Sequence, residues 1–250
     1  MGPEFSHMGD KREDFPLQNY YSDIYKSYDR VNHIFTFGRD RHWRQKAAAK
    51  CLDAGPKQIL DLCTGTGDFV LELAHRAQEN IQLTGYDFSP DMLAVGREKY
   101  TRISELKEIP TIAFVEGDVG DMPFEDNRFD AIGITFGIRN LVYENSNASR
   151  HLSEISRVLR PGGELIILES SRPDSSLWRF FNTLYLQLIL PYLGGMISGN
   201  LKAYRYLASS SKNYYSMGEM GTILEEAGFE VTSGQPLFLG SVMLLVANKK

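Results

Sequence analysis

The segment from Ile59 to Asp68, which reads ILDLCTGTGD, constrains the fold of this chain more than any other part of it. Its apolar start is typical of a buried strand, two glycines follow at Gly65 and Gly67, and apolar residues then recur at helical spacing from Val70. Glycines between a strand and a helix let the backbone approach a ligand closely, and a helix N-terminus offers free N–H groups. The segment therefore predicts a strand–turn–helix unit that binds a ligand at its turn.

The same alternation of short apolar runs with helical spacing continues along the chain. The predicted strands are Gln58 to Leu62, Ile81 to Tyr86, Ile112 to Val115, Ala131 to Thr135, Glu164 to Leu168 and two closing apolar runs. The predicted helix boundaries are Gly55 with Pro56, Ser89 with Pro90, the RPGG turn of Arg160 to Gly163, a Ser216–Glu219 capping box and Gly228. Repeated βα units predict an α/β fold with a doubly wound, mostly parallel seven-stranded, Rossmann-like sheet.

The composition fits one domain and excludes several function classes. The 27 Lys and Arg against 32 Asp and Glu give a net charge of −5 without a basic cluster, which disfavours nucleic acid as a partner. Cys51 and Cys63 lack disulfide and zinc-ligand spacing, which favours a cytoplasmic setting. No apolar stretch of about 18 residues and no signal peptide is found. Residues 1–8 are typical of an expression-tag remnant, and residues 9–250 are predicted to form a single domain.

Three aspartates after successive predicted strands indicate the class of the ligand. Asp87 follows Gly67 by 20 residues, where a carboxylate can accept hydrogen bonds from both hydroxyls of a ribose, and Asp118 is placed to accept the amino group of an adenine. A dinucleotide fingerprint would have its third glycine where Val70 stands, and the carboxylate of Asp61 would repel a pyrophosphate but attract a sulfonium. The sequence therefore predicts S-adenosyl-L-methionine as the cofactor, and the class I methyltransferase form of the fold, over a nicotinamide oxidoreductase.

Three further segments resemble one family, the quinone-biosynthesis C-methyltransferases that methylate demethylmenaquinol or a ubiquinol precursor. The segments are YDRVNHIFTFGRDRHWR from Tyr28 to Arg44, FDAIGITFGIRNL from Phe129 to Leu141, and RVLRPGG together with the YRYL of Tyr204 to Leu207. Thr36 replaces a serine that is usual in the first segment, ESSRP replaces the usual EFSxP at Glu169 to Pro173, and the usual Pro-Asp-Gln after YRYLASS is missing. The last two departures bear on the acceptor more than on the cofactor.

The resemblance implies which residues form the site. The cofactor contacts of the family correspond to Thr66, Asp87, Asp118, Val119 and Thr135, which join Asp61, Gly65 and Gly67 of the glycine turn. The reaction-site pair corresponds to Arg139 and Asn140. As a cation beside a quinol oxygen, Arg139 would stabilise the phenolate or polarise a water that takes the proton, and Asn140 would orient that water. His33 and His42 are alternative bases.

Two helical additions to the sheet are predicted. Residues 9–55 would form an N-terminal lid, and residues 174–212 a helical insertion on the substrate side. In the lid, the residues placed over the cofactor are Tyr28, Asp29 and Asn32. In the insertion, the residues available to line a groove for a polyprenyl tail are Trp178, Phe181, Leu184, Leu188 and Pro191. Such a groove predicts peripheral membrane association, although a buried helix or a homodimer contact fits the same pattern.

Other readings of the same residues are weaker or stay open. A nucleic-acid amino-methyltransferase would carry an NPPY-like run where TFGIRN stands. A metal-dependent catechol-type methyltransferase would need clustered carboxylates where Arg139 stands, so no metal is predicted. The choice between a naphthoquinol and a benzoquinol acceptor stays open, and so does the role of a non-catalytic scaffold subunit.

Overall fold

The structure is a computed structural model that describes residues 33–34, 36–78, 80–198, 201 and 214–250. The predicted tag remnant, the lid residues Tyr28, Asp29 and Asn32, and the YRYL segment lie outside the described residues. The boundaries proposed for the lid and the insertion stay predictions.

Strands and helices alternate through the described part of the chain. The strands are β1 (Gln58–Leu62), β2 (Gln82–Asp87), β3 (Ile112–Glu116), β4 (Phe129–Thr135), β5 (Leu159–Ser170), β6 (Phe229–Leu237) and β7 (Val242–Lys249). The helices are α1 (Arg39–Asp53), α2 (Asp68–Arg76), α3 (Pro90–Ser104), α4 (Ile138–Val142), α5 (Ala148–Val158), α6 (Ser176–Leu188), α7 (Leu190–Ser198) and α8 (Met217–Glu226).

All seven strands join one sheet in the order β3-β2-β1-β4-β5-β7-β6. Neighbours from β3 to β5 pair in parallel, whereas β7 is antiparallel to both β5 and β6. The prediction of a doubly wound, mostly parallel seven-stranded sheet is confirmed. Because the strand order reverses between β1 and β4, a crevice opens at the carboxyl ends of these strands, where open α/β sheets bind ligands.

The hydrophobic core lies on both faces of the sheet. Leu60 and Leu62 of β1 pack in one core cluster, and Ile59 packs with Val70 and Leu73 of α2 in the other. This division follows from the alternation of side chains along a strand and from the apolar face of an amphipathic helix. Each such buried side chain contributes roughly 1.5–3 kcal/mol, so the turn between β1 and α2 is held between two well-packed elements.

The RPGG segment departs from its prediction. The sequence predicts a turn that ends before a strand beginning at Glu164, but β5 begins at Leu159 and includes the segment. Leu159 pairs with Phe129 and Glu164 pairs with Ala131, so the four RPGG residues bulge out between two pairs of one parallel ladder. The turn exists as a bulge within the strand, because pairing with β4 resumes on both sides of it.

Apart from RPGG, the predicted helix boundaries agree with the structure. The Ser89 hydroxyl accepts a hydrogen bond from the backbone N–H of Met92 and caps α3. Ser216 and Glu219 form the reciprocal capping box of α8, and Gly228 after it has φ +89°. These are local interactions between neighbours in the chain, which is why the sequence alone is sufficient to predict them.

Candidate functional site

A cavity of about 490 Å³ lies at the carboxyl ends of the four strands β3, β2, β1 and β4. It is in the size range of small-molecule sites and at the position where the strand order reverses. Seven of the ten predicted site residues line it: Gly65, Thr66, Asp87, Asp118, Val119, Thr135 and Asn140. Asp61, Gly67 and Arg139 do not line it.

The two glycines of the turn are required for different reasons. Gly65 has φ +54°, lies on the cavity wall, and would meet no atom within 4 Å if it carried a Cβ. Gly67 has φ +82° and begins α2, and a Cβ on it would lie 3.2 Å from the Cα of Gly96 in α3. Gly65 thus gives the turn its shape at the ligand, whereas Gly67 allows two helices to approach each other.

Asp87 connects the end of β2 to this turn. One of its carboxylate oxygens, Oδ2, accepts a hydrogen bond from the N–H of Gly65 at 2.8 Å, and Oδ1 accepts one from the N–H of Ser89 at 2.9 Å. Burial raises the pKa of this carboxyl, and the backbone hydrogen bonds oppose that rise. The backbone N–H of Phe88 also hydrogen-bonds to this carboxyl. A carboxylate has about four lone pairs, so Asp87 can accept a further hydrogen bond from a ligand hydroxyl.

Asp61 lies beneath the turn instead of on the cavity wall. Its Oδ2 accepts hydrogen bonds from the Thr64 hydroxyl at 2.5 Å and from the N–H of Val70 at 3.0 Å, while Oδ1 is buried with no partner among the described residues. Burial raises the pKa of this carboxyl to about 7. The sequence predicts that Asp61 lies against a sulfonium. In the structure its hydrogen bonds instead join the turn to the first residues of α2.

Two residues lie at the far end of the cavity: Asp118, which is predicted from the sequence, and His151, which is not. Asp118 caps the short 3-10 turn that follows β3, with Oδ1 accepting from the N–H of Gly120 at 2.7 Å. His151 is buried and lines the cavity, with Nε2 4.0 Å from Asp118 Oδ1. Its Nδ1 donates to the carbonyl of Leu141 at 2.9 Å, which leaves Nε2 of a neutral ring as an acceptor. The sequence feature that would identify His151 is a histidine on the otherwise apolar face of α5.

The two residues predicted to form the reaction site have different surroundings. Asn140 lines the cavity, whereas Arg139 is buried behind the wall, where its N–H donates to Glu169 Oε2 at 3.3 Å and its Nη1 to the Ser170 hydroxyl at 3.4 Å. Both partners belong to the ESSRP segment that departs from the family pattern. Burial raises the pKa of the neighbouring Tyr214 hydroxyl well above its ordinary value, the charge of Glu169 adds to this rise, and Arg139 opposes it.

Neither alternative base lies on the cavity wall. His33 contacts Asp40 with Nδ1 to Oδ1 at 3.0 Å, and His42 is exposed on α1. The role predicted for them as bases at this cavity therefore has no geometric support.

Two cavity residues adopt a backbone conformation that side chains other than glycine rarely adopt. Cys63 and Phe136 both have φ +58°. Phe136 precedes Gly137 in the chain, and a Cβ added to Gly137 would lie 2.5 Å from the Cβ of Cys63. Left-handed backbone of this kind costs about 1–2 kcal/mol per residue and is often found where a fold shapes a ligand site.

A family model described as the ubiE/COQ5 methyltransferase family matches residues 7–249 of the chain. The demethylmenaquinone methyltransferase of Thermus thermophilus is 41% identical over 212 residues, which are 84% of this chain and 91% of the relative. That of Deinococcus radiodurans is 36% identical over 244 residues, 97% of each protein. The ubiquinone/menaquinone biosynthesis C-methyltransferase UbiE of Geotalea daltonii is 37% identical over 234 residues, 93% of this chain and 96% of the relative.

Solved structures with the same fold are more distant in sequence. A SAM-dependent methyltransferase from Aquifex aeolicus has a TM-score of 0.60 at 19% identity, covering 88% of this chain and 96% of its own. Another from Thermotoga maritima has a TM-score of 0.62 at 18% identity, covering 94% and 100%. At these identities the likeness shows the fold alone, and it confirms the predicted class I architecture.

Proposed function

We propose that this chain, which belongs to the ubiE/COQ5 methyltransferase family, methylates a ring carbon of a polyprenylated quinol and converts demethylmenaquinol to menaquinol. It is a methyltransferase that uses S-adenosyl-L-methionine. The observation that carries the acceptor is the 41% identity to a relative named demethylmenaquinone methyltransferase, over 91% of that relative's length.

The cavity residues fit the cofactor. The Asp87 carboxylate lies on the cavity wall, where it can accept a hydrogen bond from a ribose hydroxyl, and Asp118 and Val119 lie one strand further along the sheet edge, where the adenine would bind. Gly65 leaves its wall of the cavity open because it has no Cβ, which gives the methionine part room beside Thr66 and Thr135. Asp61 and Gly67 would support the turn without touching the ligand.

Arg139 and Asn140 would activate the acceptor. When bound, S-adenosyl-L-methionine supplies an electrophilic methyl group, and the quinol ring becomes nucleophilic when its hydroxyl loses a proton. Asn140 is on the cavity wall and would bind a quinol oxygen or a water, whereas Arg139, the preceding residue of α4, would act from behind the wall. Because Arg139 is only 5% exposed, its charge acts through a medium of low dielectric constant and would stabilise a phenolate strongly.

The roles of this pair are tested by separating turnover from cofactor binding. We expect Arg139→Gln and Asn140→Ala to lower turnover by about 100-fold or more while the affinity for the cofactor changes by less than about threefold. Arg102→Gln, which removes an exposed arginine of α3, is the matched control. Full turnover of Arg139→Gln with unchanged cofactor binding would refute the assignment.

The acceptor is tested by a labelled methyl-transfer assay that offers demethylmenaquinol and the demethyl ubiquinol precursor side by side. We expect faster methylation of the naphthoquinol. The benzoquinol is the second candidate, because the Geotalea daltonii relative is named for both pathways. Product from neither quinol, in protein that binds the cofactor, would contradict the proposal and favour another small-molecule acceptor or a scaffold role.

The helices α6 and α7 offer a surface for the polyprenyl tail and for peripheral contact with the inner face of the membrane. Leu177, Phe181, Leu184 and Leu188 are all at least 43% exposed and share one face of α6. Trp178 is anchored instead, since its indole N–H donates to the Ser241 hydroxyl at 2.8 Å. No helix among the described residues is both long and apolar enough to span a bilayer. A homodimer contact would use the same face.

A further inference from the structure

The charges around the cavity are unevenly distributed. Asp68, Asp87, Glu116 and Asp118 all line it, whereas Arg44 alone among the described lining residues carries a permanent positive charge. The cofactor carries a sulfonium, an ammonium and a carboxylate. The acidic residues suit its cationic and hydroxyl groups, and they leave the carboxylate to be matched by Arg44.

The guanidinium of Arg44 is buried and contacts Asp40 and Phe136. Arg44 is 8% exposed, and its Nη1 donates to Asp40 Oδ2 at 2.8 Å, one helical turn earlier in α1. The guanidinium stacks over the ring of Phe136, with 5.4 Å between its central carbon and the ring centroid. Its Nε is buried and has no hydrogen-bond partner among the described residues. A buried donor without a partner destabilises the protein, and an anionic ligand in the cavity that accepted its hydrogen bond would remove this cost.

Asp40 is itself fixed in position. Its Oδ1 accepts a hydrogen bond from the Thr36 hydroxyl at 2.8 Å and contacts His33 Nδ1 at 3.0 Å. Burial raises the pKa of the Asp40 carboxyl, but the Thr36 hydrogen bond, the charge of Arg44 and the contact with His33 together outweigh burial and lower it overall. An ionised Asp40 with these contacts orients the planar guanidinium before a ligand arrives.

The order of groups along the sheet edge places Arg44 at the end of the cavity where the methionine part of the cofactor would bind. Neighbouring strands lie about 4.8 Å apart, and the cavity passes from Asp118 after β3, through Asp87 after β2, to Gly65 after β1. Adenine and ribose would occupy the first two positions, so the methionine part extends past Gly65. Arg44 lies on this side, because α1 packs against β4 and β5.

We propose that Arg44 binds the carboxylate of the methionine part of S-adenosyl-L-methionine, and that Asp40 positions the guanidinium for this contact. A guanidinium is suited to the role because its fork of N–H groups matches the geometry of a carboxylate. The inference depends on the cofactor and is independent of the quinol acceptor.

The test compares two ligands that differ only in the carboxylate, S-adenosylmethionine and decarboxylated S-adenosylmethionine, by isothermal titration calorimetry without acceptor. We expect Arg44→Gln to weaken binding of the first by about 10- to 100-fold and of the second by less than about threefold. Arg41→Gln, an exposed arginine of the same helix that does not line the main cavity, should leave both affinities unchanged.

Removing Arg44 leaves Asp40 buried without its cationic partner, so the combined Asp40→Asn and Arg44→Gln variant serves where the single variant fails to fold. This double variant should show the same selective loss of affinity for S-adenosylmethionine, the ligand that carries the carboxylate. Equal losses for the two ligands, or no loss in either variant, would overturn the proposal. Absence of quinol methylation would leave this measurement unaffected, so the two proposals fail separately.

Discussion

The carboxylate of Asp87 accepts a hydrogen bond from the backbone N–H of Gly65 at 2.8 Å, across the boundary between β2 and β1. This contact joins the aspartate predicted for the ribose to the glycine predicted for the cofactor turn, which lie 22 residues apart in the chain. The turn is therefore shaped by the same side chain that would bind the ligand. Loss of Asp87 should disturb both functions at once.

Replacement of Asp87 by Asn should weaken cofactor binding by about 10- to 100-fold. An amide has a single oxygen, so it cannot accept hydrogen bonds from both Gly65 and Ser89 and also from the ribose hydroxyls. Calorimetric titration with S-adenosylhomocysteine measures the effect. Asp91→Asn, at an exposed position in the first turn of α3, is the control that should bind normally. An Asp87→Asn protein with wild-type affinity would contradict the ribose assignment.

What the sequence predicts well is what neighbouring residues determine. The strand–turn–helix unit, the Ser89 cap and the Ser216 capping box depend on contacts within a few residues, and all are found in the structure. Asp61 and Arg139 are different, because their placement depends on how β1, β4 and β5 pack together. Motif position alone could not distinguish a side chain on the cavity wall from one buried behind it.

Asp61 makes folding stability depend on pH. Its folded-state pKa of about 7 lies above the ordinary value of 3.8, so between these values the folded protein holds a proton that the unfolded chain has released. The free energy of unfolding should therefore fall as pH rises from about 4 to about 7, by at most about 1.4 kcal/mol per pH unit and by on the order of 4 kcal/mol across the window.

Urea unfolding of the wild type and of Asp61→Asn at several pH values tests this dependence. The amide oxygen of the variant can still accept from Thr64 and Val70, so the fold should persist. We expect the unfolding free energy of the wild type to fall relative to that of the variant as pH rises. Parallel pH profiles would show that the Asp61 carboxyl does not titrate in this range.

Gly137 and Cys63 should show coupled effects on stability. A Cβ at position 137 would lie 2.5 Å from the Cβ of Cys63, so Gly137→Ala should destabilise the protein by about 1–3 kcal/mol. Cys63→Gly removes the backbone strain of a non-glycine residue in the left-handed region, but it also removes a half-buried side chain. These two effects on stability should cancel to within about 1 kcal/mol. The double variant should recover most of the loss, because the clashing atom is gone.

Urea unfolding of the two single variants and the double variant yields the coupling energy, which we expect to exceed about 1 kcal/mol. Gly218→Ala, at a helical glycine with no atom within 4 Å of an added Cβ, controls for the substitution itself and should be neutral or slightly stabilising. Simple additivity of the two single effects would mean that the chain relaxes around the clash without involving Cys63.

The exposed face of α6 should bind lipid. Phe181 is 50% exposed and Leu184 is 43% exposed, on a helix with no fully buried residue. An apolar side chain of this size contributes roughly 1.5–3 kcal/mol when it leaves water. Phe181→Asp or Leu184→Asp should therefore reduce binding to vesicles of phosphatidylethanolamine and phosphatidylglycerol by about tenfold or more, as measured by flotation. Asn182→Asp adds the same charge to the half-buried side of the helix and should have little effect.

Sedimentation of the same variants distinguishes lipid contact from self-association, because a homodimer formed through this face would dissociate in Phe181→Asp. We expect the oligomeric state to stay unchanged while vesicle binding is lost, and turnover of a long-chain quinol to fall more than that of a quinol with a truncated tail. Absence of wild-type protein from the floating fraction, or an equal loss in Asn182→Asp, would remove the basis for a lipid-facing role of α6. A change from dimer to monomer without vesicle binding would assign the face to a second copy of the chain.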